Sequence, residues 1–513
     1  MNKRSAGILM HISSLPSKYA IGDLGPAANE FADFLKRASQ SIWQMLPLNP
    51  TSASQAYSPY SSTSSLAGNI LFISPEILIK QKLITQNDLE EIEELLINEN
   101  IIQMEEGKKR MLTKAYYNYR SHEDPLLKKQ FQNFCNKENY WLHDFALYTV
   151  IKEKQNNQPW YQWNIQYKDH HDYALARFSN DHSDEIELVK FSQLLFNLQW
   201  TALKTYCSNL GIHLLGDLPI YVGHDSVDVW SNREIFSLDK NGAPIKTAGV
   251  PPDVFNSNGQ LWGMPVFNWN VLKEKHYDWW VCRLKKNLEW FGEIRLDHFR
   301  AFSSYWEVDA NETTAIKGKW KQGPGADFFQ TIKKELNGLP FVAEDLGEID
   351  DAVYELRDQF SLPGMNVLQF AFGEKMPQMV YIPHHQKSNS IVYTGTHDNN
   401  TTLGWYRSLK KWERKNLTLY TGTSVTKGNV VEILCRMAYG TVADRVILPM
   451  QDVLCLDEDA RMNTPSGKKG NWTWKMSRSA ITSDIEKQLE EWCYLYDRKN
   501  QIIPPKKIRD LST

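Results

Sequence analysis

The amino-acid sequence predicts an α/β protein built as a (β/α)8 TIM barrel, and two observations support this. Eight short apolar runs rich in β-branched and aromatic residues occur along the chain, and helical patterns lie between most of them. The predicted strands cover residues 7–13, 41–48, 213–222, 292–299, 340–347, 365–372, 390–399 and 442–454. Strands that alternate with helices in this way are typical of a closed parallel barrel, whose functional residues lie at the carboxyl ends of the strands.

The connecting segments justify these strands in order. The first strand, "GILMHIS", is followed by the helical pattern "AANEFADFLKRA" and then by the second strand, "SIWQMLPL". The helical "FNLQWTALKTYCSNLG" ends at Gly211, which suits a helix C-cap, and leads into the third strand. The patterns "ADFFQTIKKELNG" and "DDAVYELRDQF" separate the fourth, fifth and sixth strands. These patterns have the length that barrel crossovers need.

The segment between the second and third strands is too long for a simple crossover. It predicts a largely helical insertion subdomain at about residues 75–190, within one barrel domain that covers residues 1–513. The charged run "DLEEIEELL" in this segment has two readings, a metal or partner site and a solvated helix face. The solvated face is the commoner origin of such a run.

Composition and charge narrow the class of protein. Hydrophobic residues make up 42% of the 513 residues and charged residues 23%, which is normal for a globular protein. The formal net charge of −3 argues against a nucleic-acid partner, which normally requires a basic excess. The chain has 18 Trp and 23 Tyr, whose flat rings can pack against the C–H faces of sugars.

Location and cofactors are predicted from what the sequence lacks. The six cysteines are scattered without zinc-type spacing, which fits reduced thiols in the cytoplasm. The N-terminal apolar run stops at His11 and is too short for a signal peptide, and no run is long enough to span a membrane. We therefore expect a soluble cytoplasmic protein with no membrane partner. No metal-ligand cluster or nucleotide-binding glycine loop is visible, so we also expect no metal and no cofactor.

Four predicted strands end in acidic residues, namely Asp217, Asp297, Glu344 and Asp398. One such acid alone is as readily explained by an ion pair or a helix cap. Four acids at one barrel mouth raise the free energy of the folded protein, because like charges repel. Their presence together therefore indicates a catalytic site. Glycosyl transfer requires such a set: one carboxylate attacks or stabilises the anomeric carbon, and one protonated carboxyl gives its proton to the departing oxygen.

The surroundings of two acids suggest their roles. Arg295 and Asp297 are two residues apart on a strand, so their side chains share a face. The guanidinium should keep Asp297 ionised and able to act as a nucleophile. Glu344 follows "PFVA" with no cation beside it in sequence, which favours a raised pKa and an acid/base role.

Seven motifs then show a family resemblance. They are "GILMHISSLPSKYAIGDLG", "YSPYSSTSSLAGN" (57–69), "GVPPDVFNSNGQLWGMPVFNW" (249–269), "RLDHFRAF", "VAEDLG", "TGTHDNNTTLGW" and "NTPSGKKGNWTWKM" (463–476). Nearly end to end, the chain resembles the 4-α-glucanotransferases called amylomaltase or disproportionating enzyme, glycoside hydrolase family 77 of the α-amylase clan. The chain extends only about sixty residues past the eighth strand. This agrees with a branch of the clan without the C-terminal β-sandwich domain.

The resemblance implies roles for individual residues. Asp297 takes the place of the nucleophile, Glu344 of the acid/base and Asp398 of the acid that stabilises the transition state. Further residues are implied to bind substrate, namely Arg295, His397, Asp217, Tyr60, Ser58, Trp262, Gln260 and Asn471. Three of these residues have an alternative, purely structural interpretation: Trp262 as a residue that packs its loop, Asn471 as a residue that caps a turn and Tyr60 as part of the core. The segments 249–269 and 463–476 are implied to be loops that cover the substrate.

The implied reaction moves part of an α-1,4-glucan to the 4-OH of a glucose or maltooligosaccharide acceptor. Two alternatives stay open: an α-glucan hydrolase of the same clan, and a glucan-binding protein without activity. Lys468 and Lys469 in the segment 463–476 depart from the family pattern and bear on contacts with the acceptor.

Overall fold

The computed structural model describes residues 4–122, 124–252, 256–347, 349–465, 467 and 470–499. In these ranges the strands are β1 (Ser5–Leu9), β2 (Ile42–Gln44), β3 (His213–Leu218), β4 (Lys246–Val250), β5 (Gln260–Pro265), β6 (Glu293–Leu296), β7 (Ser304–Asp309), β8 (Lys319–Gln322), β9 (Phe341–Ala343), β10 (Gly364–Val367), β11 (Ser390–Tyr393) and β12 (Arg445–Pro449).

The α-helices of the same ranges are α1 (Pro26–Arg37), α2 (Pro75–Lys80), α3 (Gln86–Glu90), α4 (Glu93–Leu96), α5 (Ile101–Ser121), α6 (Pro125–Lys137), α7 (Asn139–Lys154), α8 (Ile165–Lys168), α9 (Asp172–Asp181), α10 (Ser183–Asn209), α11 (Val227–Ser231), α12 (Trp269–Glu274), α13 (Asp278–Trp290), α14 (Arg300–Ser303), α15 (Gly325–Leu336), α16 (Asp351–Gln359), α17 (Thr402–Ser408), α18 (Lys411–Thr421), α19 (Val430–Gly440), α20 (Met450–Val453) and α21 (Ser483–Leu495). None of these helices combines the length and the apolar character that crossing a membrane requires.

Eight of the strands form one parallel sheet in the order β10-β11-β12-β1-β2-β3-β6-β9. The two end strands also meet, because the Ala343 amide next to Glu344 donates to the carbonyl of Pro363 at 2.9 Å, just before β10 begins. The sheet is therefore the predicted (β/α)8 barrel, and the fold class is confirmed. Each of the eight predicted strands contains or overlaps one barrel strand.

Burial explains why these segments form strands. The strands β2, β9 and β11 are buried at every residue, as expected for parallel strands covered by helices. Gly216 in β3 lies against the ring of Phe291, and a Cβ at this position would come within 2.2 Å of that ring. A glycine is therefore required directly before Asp217.

The long connection between β2 and β3 contains the helices α2 to α10. A buried ion pair attaches it to the barrel helices: Lys286 Nζ in α13 donates to Glu138 Oε2 at 2.7 Å, and both side chains are only 2% exposed. Glu138 Oε2 also accepts from Trp141 Nε1 at 2.6 Å. The division of the chain into a barrel domain and an insertion at about 75–190 stays a prediction.

A second, four-stranded sheet lies outside the barrel strands, in the order β5-β4-β7-β8 with antiparallel pairing. The strands β4 and β5 come from the segment after β3, and β7 and β8 from the segment after β6. The predicted covering segment 249–269 includes the end of β4 and all of β5, while residues 253–255 lie outside the described residues. The alternation of apolar residues did not reveal this sheet.

Candidate active site

A cavity of about 630 Å³ opens beyond the carboxyl ends of β3, β6 and β9. This volume is typical of a small-molecule site. Nine of the residues predicted from the sequence line it: Ser58, Tyr60, Gln260, Trp262, Arg295, Asp297, Glu344, Asp398 and Asn471. The other two, Asp217 and His397, contact lining residues from behind, as shown below.

Arg295 joins two of the predicted acids. Its Nη1 lies 2.8 Å from both carboxylate oxygens of Asp217 and 2.9 Å from Asp297 Oδ1. The first contact follows from sheet register, because Asp217 in β3 is paired with Arg295 in β6. Tyr60 donates its hydroxyl to Asp217 Oδ2 at 2.8 Å. A buried guanidinium thus holds Asp217 and Asp297 in fixed positions, and Asp217 in turn orients Tyr60.

The charge of Asp297 is set by two opposing effects. Burial raises the pKa of the Asp297 carboxyl above its usual value, and the Arg295 guanidinium opposes this only in part. The Asp297 side chain is 26% exposed to the cavity, whereas the Arg295 side chain is 4% exposed. Burial prevails in this balance, so the pKa is raised, and the direct contact with Arg295 limits the increase by favouring the ionised form.

Glu344 follows β9 and is held by backbone amides. The amide of His298 donates to its Oε2 at 2.7 Å, and the amide of Leu346 donates to its Oε1 at 3.2 Å. His298 itself has a φ of 50°, in the left-handed region. Two further backbone bonds, from Glu344 to Leu296 and from Phe299 to Glu344, join the same two strand ends at 3.1 and 3.0 Å.

The pKa of Glu344 is raised, because burial disfavours its ionised form more than Arg295 favours it. Within the described residues, Arg295 hydrogen-bonds to Asp297 but not to Glu344. The charge on Glu344 is also one of the causes that raise the pKa of Asp297. The pKa of both neighbouring carboxyls is raised, so the pair holds a proton in common, and the direct contact with Arg295 favours the negative charge on Asp297.

Asp398 lies in the loop after β11 and is fixed by residues 461–463. Asn463 Nδ2 donates to Asp398 Oδ1 at 2.6 Å, and Arg461 Nη2 donates to the Asp398 carbonyl at 2.6 Å. His397 Nε2 lies 3.4 Å from Asp398 Oδ2. Neither Asn463 nor Arg461 was predicted, because nothing in the sequence marks bonds between residues 65 and 63 positions apart.

The ring of His397 stacks on that of Tyr60 with 5.1 Å between centroids and 12° between planes. Burial lowers the pKa of His397 below its usual value, and the nearby Asp398 opposes this. The imidazole is therefore predominantly neutral at neutral pH. The stack lies near Trp472, whose ring centroid is 5.8 Å from that of Tyr60. Tyr60 is thus part of the site wall.

The remaining predicted residues form the other walls. Trp262 Nε1 donates to Gln260 Oε1 at 3.2 Å, and its ring meets the edge of His298 at 4.9 Å. Ser58 Oγ accepts from the Tyr60 amide at 3.2 Å, so it shapes the turn that carries Tyr60. The binding roles of these residues stay predictions.

Asn471 uses its side-chain amide within its own loop. Its Oδ1 accepts from the Thr464 amide at 2.9 Å, and its Nδ2 donates to the carbonyls of Thr464 and Gly467 at 3.2 Å each. These bonds agree with the second interpretation of Asn471, as a residue that caps a turn, although the residue also lines the cavity. Lys468 and Lys469 lie outside the described residues.

The cavity also has lining residues that the sequence did not point to, among them Tyr221, Met264, Arg300, Trp320 and Trp472. Arg300 is visible in the motif "RLDHFRAF", but no pattern assigned it a role. Trp320 lies in "KWKQ", a polar strand without an apolar face. Met264 and Trp472 lie in the segments 249–269 and 463–476, which the resemblance implies to cover the substrate, whereas Trp320 lies outside every segment predicted to contribute to the site.

A barrel whose strand ends bring acidic residues into one sugar-sized cavity is the arrangement of a carbohydrate-active enzyme. The chain matches the family model described as 4-alpha-glucanotransferase over residues 10–482. It is 42% identical over 474 residues to the 4-alpha-glucanotransferase of Aquifex aeolicus, with 92% of this chain and 95% of the relative covered. It is 40% identical over 511 residues to that of Streptococcus pneumoniae, with 98% and 99% covered.

Solved structures agree. An amylomaltase from Streptococcus agalactiae in complex with acarbose matches with a TM-score of 0.93 and 36% identity, covering 97% of this chain and 100% of that one. An amylomaltase from Corynebacterium glutamicum shares the fold, with a TM-score of 0.79 at 16% identity, covering 97% and 75%. The chain belongs to the 4-alpha-glucanotransferases of glycoside hydrolase family 77.

Proposed function

We propose that this 4-alpha-glucanotransferase moves a segment of an α-1,4-glucan to the 4-OH of a glucose or maltooligosaccharide acceptor by double displacement with retention. The observation that carries the mechanism is the unequal environment of two carboxyls in one cavity. Burial raises the pKa of both carboxyls, but only Asp297 hydrogen-bonds to the buried Arg295 guanidinium, whereas Glu344 accepts from two backbone amides. Two carboxyls held in opposite protonation states are what this reaction needs.

In the first displacement, Asp297 Oδ attacks the anomeric carbon of the donor. Glu344 gives its proton to the glycosidic oxygen, and the bond between that oxygen and the anomeric carbon breaks. The products are a glycosyl ester on Asp297 and a shortened glucan that leaves with the proton. Asp398, held by Asn463 at 2.6 Å, keeps a negative charge near the ring while positive charge develops on it.

In the second displacement, Glu344 acts as a base. It takes the proton of the acceptor 4-OH, whose oxygen attacks the anomeric carbon and displaces the Asp297 carboxylate. Two inversions at one carbon return the original configuration. The enzyme is regenerated with Glu344 protonated and Asp297 ionised, so these side chains supply both proton transfers.

Retention also requires a short distance between the two carboxyls, about 5–5.5 Å, because no water molecule has to fit between Asp297 and the sugar. The backbone bonds that join residues 296–299 to residue 344 favour a short spacing. A crystal structure of the closed site would test this, and a separation of about 9 Å would contradict retention.

Transfer requires that a sugar takes the intermediate before water does. The site walls formed by Tyr60 and Trp262 favour this, because they offer ring faces on which an acceptor can be oriented. Maltotriose should therefore yield glucose and a ladder of longer maltodextrins, while the number of reducing ends stays constant. A steady rise in reducing ends, with nothing longer than maltotriose, would indicate the hydrolase. No change at all would indicate the inactive binding protein.

We also infer that the protein acts in the cytoplasm on glucans, without a membrane or nucleic-acid partner. The net charge of −3 and the absence of a disulfide among the described residues support this. Cell fractionation would test the location, and recovery of the protein from a membrane or secreted fraction would contradict it.

A further inference from the structure

Trp320 is an unusual residue for its position. It lies in β8, an outer strand of the four-stranded sheet, and all four residues of this strand are exposed. Its neighbours in the strand are Lys319, Lys321 and Gln322, which are typical of a protected sheet edge. A tryptophan that is 41% exposed at such an edge gains little from burial, so packing alone does not account for it.

The exposed part of Trp320 contributes to the active-site cavity, together with Arg300. The Arg300 guanidinium carbon lies 3.9 Å from the centre of the Trp320 ring, a close cation–π contact. Arg300 is itself 8% exposed, and its Nη2 donates to Ser304 Oγ at 3.2 Å and to Asp350 Oδ2 at 2.8 Å. The ring of Trp306 meets that of Trp320 at 5.2 Å and 68°. The orientation of the Trp320 ring is thus set before any ligand binds.

Sheet register separates Trp320 from the predicted wall residue Trp262. Leu261, Gly249, Trp306 and Trp320 are paired across the four strands and therefore project to one face. Trp262 follows Leu261 and projects to the other face. The strands β5 and β8 are the two edges of the sheet, three strand spacings or about 14 Å apart. The cavity therefore has two tryptophan walls that approach it from different sides.

The position of Trp320 relative to the acids indicates which sugars it meets. Arg300, which lies against the Trp320 ring, donates to Asp350 Oδ2 at 2.8 Å, so Trp320 lies next to the segment that follows Glu344. Glu344 is the proposed proton donor to the leaving sugar and the base for the acceptor, so leaving and accepting chains extend past this side. The 4-OH of an acceptor enters at Glu344, and the rest of a longer chain runs outward from there.

We propose that the Trp320 ring, backed by Arg300, is an outer binding platform for the trailing sugars of long acceptor glucans. This inference rests on the proposed function and adds a preference for acceptor length. The exposed ring would pack against the C–H face of a glucose unit several residues from the reacting 4-OH. Free glucose occupies only the position next to Glu344 and does not reach Trp320.

Kinetics of Trp320→Ala with an activated maltosyl fluoride donor and a series of acceptors from glucose to maltohexaose test this. We expect kcat/KM for glucose to stay within about twofold, and kcat/KM for maltohexaose to fall about tenfold through KM, as loss of one ring contact implies. Trp320→Phe should recover part of the loss. Lys319→Ala, on the same strand and outside the cavity lining, should match the wild type for every acceptor.

Equal losses for glucose and maltohexaose would assign Trp320 a purely structural role and overturn the proposal, as would no loss for either. A binding measurement tests the role of Trp320 independently of the proposed transfer reaction. Calorimetric titration of maltohexaose into Asp297→Asn, with and without Trp320→Ala, needs no turnover. Weaker binding with Trp320→Ala would support the platform even if the wild type made no transfer products, and unchanged affinity would overturn it.

Discussion

The two sheets of this protein differ in their exposure to water. The parallel barrel is buried along most of every strand, whereas β8 of the antiparallel sheet is exposed at each residue and β5 at all but its end is partly exposed or exposed. The barrel strands carry, or precede, the acids of the site and Arg295, and charges act strongly on one another away from water. The antiparallel sheet carries Trp262 and Trp320, whose rings can pack against a sugar that stays partly hydrated. On the proposals above, residues of the barrel break the glycosidic bond and residues of the antiparallel sheet select the acceptor.

The largest effect is expected for Asp297→Asn on the barrel. The amide has almost the volume of the carboxylate but cannot form the glycosyl ester, so transfer from maltotriose should fall by roughly 10^4- to 10^6-fold. Binding of maltohexaose, followed by calorimetry, should survive. Asp351→Asn, an exposed acid in α16, is the matched control and should keep full activity. A variant with more than a few per cent of wild-type activity would exclude Asp297 as the nucleophile.

Glu344→Gln should be the next most damaging change. It removes the proton donor, and transfer between maltooligosaccharides should fall by roughly 10^2- to 10^4-fold. The first step with maltosyl fluoride should be largely spared, because fluoride leaves without a proton. Release of fluoride in a single turnover measures this step. Equal losses on both donors would contradict the assignment of Glu344 as the acid.

The pH dependence of the melting temperature should also differ in sign between an acid of the barrel, Glu344, and an acid of the antiparallel sheet, Asp309. Burial raises the pKa of Glu344, so the folded state holds this proton more tightly than the unfolded state does. The contribution of this proton to the free energy of unfolding is fully present below the pKa that Glu344 has in the unfolded state. It is lost as the pH rises through the pKa that Glu344 has in the folded state. Glu344→Gln should therefore melt a few °C above the wild type at pH 8, and the difference should shrink at pH 5.

The antiparallel sheet supplies the comparison for this measurement. A hydrogen bond from Lys246 lowers the pKa of Asp309 at the end of β7. Its contribution is present above the unfolded pKa and is lost as pH falls through the folded value, so Asp309→Asn should give no increase in melting temperature at pH 8. If Glu344→Gln and Asp309→Asn raised the melting temperature equally at pH 8, the expected difference between these two acids would be wrong.

The smallest effect is expected on the antiparallel sheet. Trp262→Ala removes a ring that covers the cavity, so the share of intermediate captured by water should rise a fewfold while total turnover changes less. The measurement is the number of new reducing ends per glucose released from maltotriose. Leu261→Ala, on the opposite face of the same strand, is the control. An unchanged ratio in Trp262→Ala would show that Trp262 does not control access of water.

The positions of the barrel strands could be predicted because the signal is local. Apolar runs mark buried parallel strands wherever they occur, and the acids follow them directly. The strand ends were less accurate: β11 ends at Tyr393, so residues 394–399 of the predicted strand 390–399 lie outside it, and Thr394 Oγ1 donates to Asp452 Oδ2 at 2.5 Å. No local pattern shows a partner 58 residues away.

The antiparallel sheet was missed for a related physical reason. The strand "KWKQ" has no buried face, so its conformation depends on pairing with β7 and not on its own apolar pattern. The bond between Asn463 and Asp398 likewise exists only after the two loops meet. Sequence therefore indicated which acids to examine, whereas their supporting contacts required the fold. The roles of those acids stay predictions until the variants are measured.

The hydrogen bond from the His298 amide to Glu344 has a consequence for mutational tolerance. Because the donor is main chain, a replacement at position 298 keeps this bond where the new residue tolerates the same backbone conformation. Proline is different, since it lacks the amide hydrogen and cannot adopt a φ of 50°. Asparagine and glycine adopt this φ most readily. A saturation library at position 298 should therefore keep most activity with asparagine and glycine, lose activity with the β-branched residues and be lowest with proline.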